Sequence, residues 1–247
     1  MVYRNNEEFL ALEAVLFDLD GTLLASDIRT AFIPHYFELL RRRMAPWVTP
    51  QRLSEGLWEG TRAMEANDGS RTNETAFAEV FYPYIGISAE TLAPELARFY
   101  AEEFPQLKRY VQPRPEARQV VQTAFELGYL VAIATNPHFP ATATLQRLEW
   151  ANVHGLPYSK VTSYENCSFA KPNLGYYREI LQELGCPAHR ALVVGDEAMD
   201  MVAGNLGCPT YLVSSPATCR ETVSPQPTFE GPLAGVRDVL RQHRHPS

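Results

Sequence analysis

The sequence predicts an α/β protein, a mostly parallel sheet covered by helices, with an all-helical insertion after the first strand. Three observations carry that expectation. The run Ala14-Val-Leu-Phe is apolar throughout and stops abruptly at Asp18-Leu-Asp-Gly, as a strand buried on both faces does when it reaches the sheet edge. From residue 113 onward, short apolar runs alternate with amphipathic stretches, the pattern of a sheet built from strand-helix-strand units. Between residues 28 and 112 strand signals are missing and helical ones recur.

The elements follow in order. After the first strand, Gly21 turns the chain into the insertion, where Thr49-Pro50 and Ser88 read as helix starts because a hydroxyl can cap the free N–H groups. Residues 115–127 then read as a helix, 129–134 as a second core strand, and 141–150 as a helix. A short strand at 160–163, a helix at 175–184, a strand at 191–194, a helix at 198–205 and a strand at 210–213 complete the pattern. The division is therefore 1–26 and 113–247 for the α/β core and 27–112 for the helical insertion, with connections at 25–27 and in the proline-rich VQPRP of 111–115. The tail RQHRHPS reads as frayed.

Composition narrows the function class. With 45% hydrophobic residues over 247, the chain can bury a sizeable core. No stretch approaches the roughly 18 apolar residues of a membrane span, and the start MVYRNNEEFLALE lacks the features of an export signal. The expectation is a cytoplasmic protein without a membrane partner. The cysteines at 167, 186, 208 and 219 have no C-x-x-C spacing and are expected to be reduced thiols. A net charge of −7 opposes nucleic-acid phosphate, so any phosphate bound here belongs to a small molecule.

In an open parallel sheet, ligands bind beyond the carboxyl ends of the strands. The first strand ends in Asp18 and Asp20, the second in Thr135-Asn136, and the fourth in Gly195-Asp196 with Asp200 four residues on, while Lys171 lies after the third. Asp18 and Asp20 alternate with Leu19, so both carboxylates share a face and ask for a cation. This set fits phosphoryl transfer, which needs an aligned nucleophile, positive charge on the phosphoryl oxygens and a proton for the departing alkoxide. Asp18 suits the nucleophile, and hard oxygens from Asp18, Asp196 and the Asp20 carbonyl suit magnesium. Asp20 then keeps its side chain for proton transfer.

The motifs DLDGTL at 18–23, ATN at 134–136, AKPN at 170–173 and GDEAMD at 195–200 together resemble the haloacid dehalogenase superfamily, in its phosphohydrolase branch with a helical cap after the first strand. The resemblance spans essentially the whole chain, the cap matching in position and helical character only. It implies a Rossmann-like core and a magnesium-dependent hydrolysis of a small phosphorylated metabolite through an aspartyl-phosphate. By the same resemblance Asp18 is the nucleophile, Asp20 the acid/base, Thr135, Asn136 and Lys171 the phosphate-binding residues, and Asp18, Asp20, Asp196 and Asp200 the magnesium site.

Taken singly, each motif also has a plain structural reading: a strand closed by an Asp-Gly turn, a helix start, a solvated lysine, acids at a helix N-terminus. Their order and spacing favour the site. Asp20 argues against a dehalogenase, whose departing halide needs no acid. The absence of lysine from 26 to 107 argues against a phosphonatase, which forms an imine on a cap lysine. A phosphosugar mutase remains as an alternative, with Arg29, Arg62 and Arg71 as candidates for a second phosphate site, as does a non-catalytic magnesium- or phosphate-binding protein acting through a partner. His138 reads as a loop or packing residue, Arg41-Arg42-Arg43 as a solvated face complementing a helix dipole, and Phe32, Tyr36, Phe37, Trp47 and Trp58 as the core of the cap. The stretch GNLG at 204–207 follows a helix and lacks the dinucleotide pattern.

Overall fold

The computed structural model describes residues 11–26, 28–214 and 223–244. The start MVYRNNEEFL, Asp27 in the first connection, Cys219 and the HPS end of the tail lie outside them. So does the side chain of Arg29.

Eight strands and nine α-helices are described. Strand β1 (Ala14–Phe17) is wholly buried and is flanked in parallel by β4 (Leu130–Ile133) and β6 (Ala191–Gly195), Phe17 standing opposite both Ile133 and Val194. With β5 (Lys160–Val161), β7 (Thr210–Val213) and β8 (Phe229–Gly231) they form one parallel sheet in the order β5-β4-β1-β6-β7-β8. This Rossmann-like arrangement is the one expected. Helices α5 (Ala117–Glu126), α6 (Ala141–Trp150), α7 (Leu174–Leu184), α8 (Ala198–Met201) and α9 (Val236–Gln242) connect and cover the strands. The expected helix at 198–205 divides, α8 passing into a 3₁₀ turn over Val202–Leu206.

The insertion is helical: α1 (Ile33–Met44), α2 (Pro50–Glu65), α3 (Asn73–Ile85) and α4 (Ala89–Glu102). Thr49 and Ser88 cap α2 and α4 as anticipated, their hydroxyls accepting from the Arg52 and Thr91 N–H groups. The chain leaves and re-enters the core through β2 (Leu24–Ser26) and β3 (Val111–Pro113), an antiparallel ribbon. The two connecting segments are thus paired strands. From β3's exit, Arg114 Nε donates to the Gly21 carbonyl at 3.0 Å and ties the ribbon to the turn after β1.

Two contacts seat the insertion on the core. On one side, Tyr36 packs edge-on against Phe139 with centroids 5.5 Å apart, Phe104 stacks on Trp150 at 5.4 Å, and Gln146 Nε2 donates to the Tyr100 carbonyl at 2.7 Å. On the other, the first turn of α3 donates into the loop after β5, Asn73 N–H to the Cys167 carbonyl and Glu74 N–H to the Tyr164 carbonyl, both at 2.8 Å. Those donors are ones an α-helix cannot satisfy internally.

Two expectations for the insertion need correction. Phe32 and Tyr36 are core residues and Phe37 packs against them, but Trp47 is 38% and Trp58 55% exposed, at the outer surface. Arg41 and Arg42 face solvent, whereas Arg43 turns inward to Glu95, Glu102 and Glu103, with contacts of 3.3, 2.8 and 2.8 Å. Consecutive helix positions point about 100° apart, so a run of three arginines cannot share one environment. Cys167, Cys186 and Cys208 are buried free thiols. Among the described residues no helix is long and apolar enough to cross a membrane.

Candidate active site

The central strand delivers Asp18 to the carboxyl edge of the sheet, where its backbone N–H still bonds the Val194 carbonyl at 2.9 Å. Around it gather the groups at the ends of β4 and β6 and Lys171. The Lys171 ammonium, nearly buried, donates to Asp18 Oδ1 at 2.8 Å and to Asp200 Oδ1 at 2.6 Å. Burial pulls its pKa down, but the charges of Asp18 and Asp200 outweigh that and hold it well above the ordinary lysine value. A solvated loop lysine is therefore not what the fold makes of Lys171.

Asp18, Asp196 and Asp200 each offer a carboxylate oxygen, and these oxygens lie within 4.8 Å of one another. Asp196 accepts from the Thr22 hydroxyl at 2.9 Å. Asp200 accepts from the Glu197 N–H at 3.1 Å and caps the helix on which it sits. Burial first, and then the neighbouring carboxylates, push Asp196 up to about 8; burial lifts Asp200 to about 6 against the pull of Lys171. Two buried carboxylates and a half-buried one, all hard oxygen donors, form a set that could hold a divalent cation. Two glycines make room for it. Gly21 has φ +91°, and a Cβ there would fall 2.3 Å from Asp196 Oδ2; at Gly195 a Cβ would fall 2.2 Å from the Asp200 carboxyl carbon.

Asp20, the fourth carboxylate, stands apart from this cluster. Its side chain is ion-paired with Arg147 Nη1 of α6, a residue the sequence reading missed. Burial raises the Asp20 pKa, Arg147 opposes the rise and Asp18 adds to it. The signal for Arg147 lay in ATATLQRLEW, where the arginine falls three or four residues from Ala143, Thr144 and Trp150, on the face that is buried. A charge on the apolar face of a helix implies a buried partner.

Thr135 is buried, and its carbonyl accepts from the Tyr176 hydroxyl at 2.9 Å and the Thr162 hydroxyl at 2.7 Å, which clamp the end of β4. The Asn136 Oδ1 accepts from the Lys171 N–H at 3.2 Å, so this side chain fastens the lysine loop to the end of β4. His138 is inside the junction between core and insertion, 3.9 Å from Glu65 and beyond hydrogen-bond reach, and burial lowers its pKa to about 4. It has a packing position, as expected. Arg62 and Arg71 pair with Glu59 and Glu79 on the surface. The stretch 204–207 ends a 3₁₀ turn, with no phosphate-cradling loop.

Comparison with known proteins agrees with this geometry. Residues 12–206 match the haloacid dehalogenase-like hydrolase family. The chain is 27% identical over 214 residues to a phosphoglycolate phosphatase of Rhodospirillum rubrum, covering 86% of this chain and 83% of that one. It is 26% identical over 215 residues to a phosphoglycolate phosphatase of Mesorhizobium japonicum, covering 87% and 88%. Among solved structures, a 2-haloacid dehalogenase from Pseudomonas syringae pv. Tomato superposes with a TM-score of 0.63 at 19% identity, over 94% of this chain and 99% of that one. A HAD phosphatase from Thermococcus onnurineus gives 0.59 at 18%, over 94% and 100%. At these identities the structural likeness speaks to the fold.

Proposed function

The chain belongs to the haloacid dehalogenase-like hydrolases, and we propose on that premise that it hydrolyses the phosphate monoester of a small metabolite through an aspartyl-phosphate on Asp18. The observation that carries the reading is the separation of its carboxylates. Asp18 sits with Asp196, Asp200 and Lys171, while Asp20, two residues on, is held outside that cluster. A departing halide needs no proton and an alkoxide does, so a carboxylate kept apart from the others favours phosphate ester over carbon–halogen chemistry.

Asp18, Asp196 and Asp200, with the Asp20 carbonyl, would hold magnesium, which when bound supplies positive charge to the phosphoryl oxygens and screens them from the carboxylates. Lys171 adds fixed positive charge beside Asp18, and the Thr135 hydroxyl and the Asn136 amide are assigned to the phosphate oxygens. In the first step an Asp18 oxygen bonds to phosphorus, the bond to the leaving oxygen breaks, and that oxygen takes a proton from Asp20. In the second a water attacks phosphorus, passes a proton to Asp20, and Asp18 departs as the carboxylate. Burial of Asp20 favours the protonated form the first step needs.

Asp18 is 8% exposed, so substrate access requires the site to open, and we assign that opening to a shift of the insertion on the β2–β3 ribbon. The covered site and the negative net charge support a small phosphorylated metabolite, with no nucleic-acid or membrane partner, and the named relatives make phosphoglycolate the first compound to assay. A mutase would need a second phosphate site, and Arg62 and Arg71 are occupied by surface glutamates. The test is Asp20→Ala. On p-nitrophenyl phosphate, whose leaving group departs unaided, it should release about one equivalent rapidly and leave acid-stable phosphoenzyme; on an alkyl phosphate it should stall before phosphorylation. Equal loss on both, with no burst, would refute the assignment.

A further inference from the structure

We propose that Arg147 is a positioning residue for Asp20: it draws this carboxylate away from the Asp18–Asp196–Asp200 set and fixes it from the rigid core helix α6. The inference rests on the reading of Asp20 as the acid/base.

The geometry points to it in three ways. Asp20 lies two residues from Asp18, yet the three carboxylates that converge within 4.8 Å are Asp18, Asp196 and Asp200, and Asp20 instead meets the guanidinium. Arg147 is 2% exposed and is held by more than that partner. Its Nη2 donates to Thr144 Oγ1 at 3.1 Å, its Nε to the Ala143 carbonyl at 3.4 Å, and its guanidinium carbon lies 5.0 Å from the Phe139 ring centroid. Finally, the anchoring residues Thr144 and Ala143 belong to α6, whose free N-terminal N–H at Ala141 is capped by the Glu165 carboxylate at 3.0 Å, so the support is itself fixed.

A short acidic side chain on a turn has two free torsions, and a divalent cation with three carboxylates nearby would attract it. A planar guanidinium clamped by three contacts removes that freedom with little loss of its own. Since the clamp lies on the core, Asp20 keeps its orientation when the insertion moves. Arg147 therefore acts on the proton-transfer step alone and does so through Asp20.

Single-turnover rates with glycerol 2-phosphate and p-nitrophenyl phosphate, both with magnesium, test this. Arg147→Met should slow the first turnover of the alkyl ester by about 10²-fold, the lower end of what a positioned acid supplies, and change that of the aryl ester by less than about threefold. Arg147→Lys, which keeps the charge and loses the planar fork, should slow the alkyl ester by roughly tenfold. The double variant Asp20→Asn/Arg147→Met, which leaves no unpaired buried charge and so should fold even where Arg147→Met does not, should match Asp20→Asn alone on both substrates. The inference is overturned if Arg147→Met or Arg147→Lys slows both esters equally or neither, if only KM for the alkyl ester rises, or if the double variant is slower than Asp20→Asn. Should Asp20→Asn itself treat both esters alike, the acid/base reading fails, and this inference with it.

Discussion

Lys171→Met tests whether the buried ammonium is what allows Asp18 and Asp200 to coexist. Its two contacts, at 2.8 and 2.6 Å, are each worth about 6 kcal/mol gross at an effective dielectric near 20. Most of that is offset by removing the ions from water, and breaking a buried pair by deleting one partner leaves a net loss of about 3–5 kcal/mol. For a chain of this size that lowers the melting temperature by on the order of 10 °C. The sign with pH follows from the carboxyls. Asp200 and Asp196 stand at about 6 and about 8 in the folded protein, above their unfolded values. They favour folding below the unfolded pKa near 4, and that contribution is lost as pH rises through the folded values. Without Lys171 the carboxyls retain their protons to still higher pH, so the deficit relative to wild type should be small at pH 5 and widest near pH 8. Magnesium should narrow it by supplying charge to the same oxygens. Urea denaturation at both pH values, in chelator and in magnesium, reads all three effects, and phosphatase turnover should fall by on the order of 10²-fold or more. A wild-type denaturation midpoint at pH 8 with turnover within about threefold would refute the account of Lys171.

Three further outcomes are expected. Magnesium at about 100 times its dissociation constant should stabilise the wild-type protein by about 2.7 kcal/mol and leave Asp196→Ala unmoved in a thermal shift assay; equal shifts in both would place the cation elsewhere. Gly195→Ala should displace the Asp200 carboxyl that a Cβ would overlap, lowering turnover at least roughly tenfold with the fold retained by circular dichroism. His138, lowered to about 4 by burial, favours folding fully above its unfolded pKa near 6.5, and that contribution is lost as pH falls toward 4. It amounts to up to about 3 kcal/mol, less whatever Glu65 returns once the ring is charged. Wild type should therefore lose stability relative to His138→Gln between pH 7 and pH 4, and a pH-independent difference would count against it.

The sequence by itself determined the strand that carries Asp18 and the place of the helical insertion. It also located the strand ends at Thr135 and Asp196 and the helix start that carries Asp200, because each rests on local signals: an unbroken apolar run, a capping hydroxyl, a fixed motif spacing. Strand β7 and helix α6 were legible to the residue for that reason. The ribbon of Leu24–Ser26 with Val111–Pro113 and the edge strand Phe229–Gly231 were not, since three residues hold no period to read. What the side chains do at the site was decided by tertiary structure alone. Asp20 meets Arg147 across 127 positions and Lys171 meets Asp18 across 153, and no local preference reports a contact between strands and helices so far apart in the chain. The same holds for Glu165 capping α6 and Asn136 fastening the Lys171 loop. A lone charge on a helix face or in a loop reads alike whether it meets water or a buried carboxylate. Only the packing of α6 against the turn after β1, which removes the water, makes Arg147 a partner of Asp20.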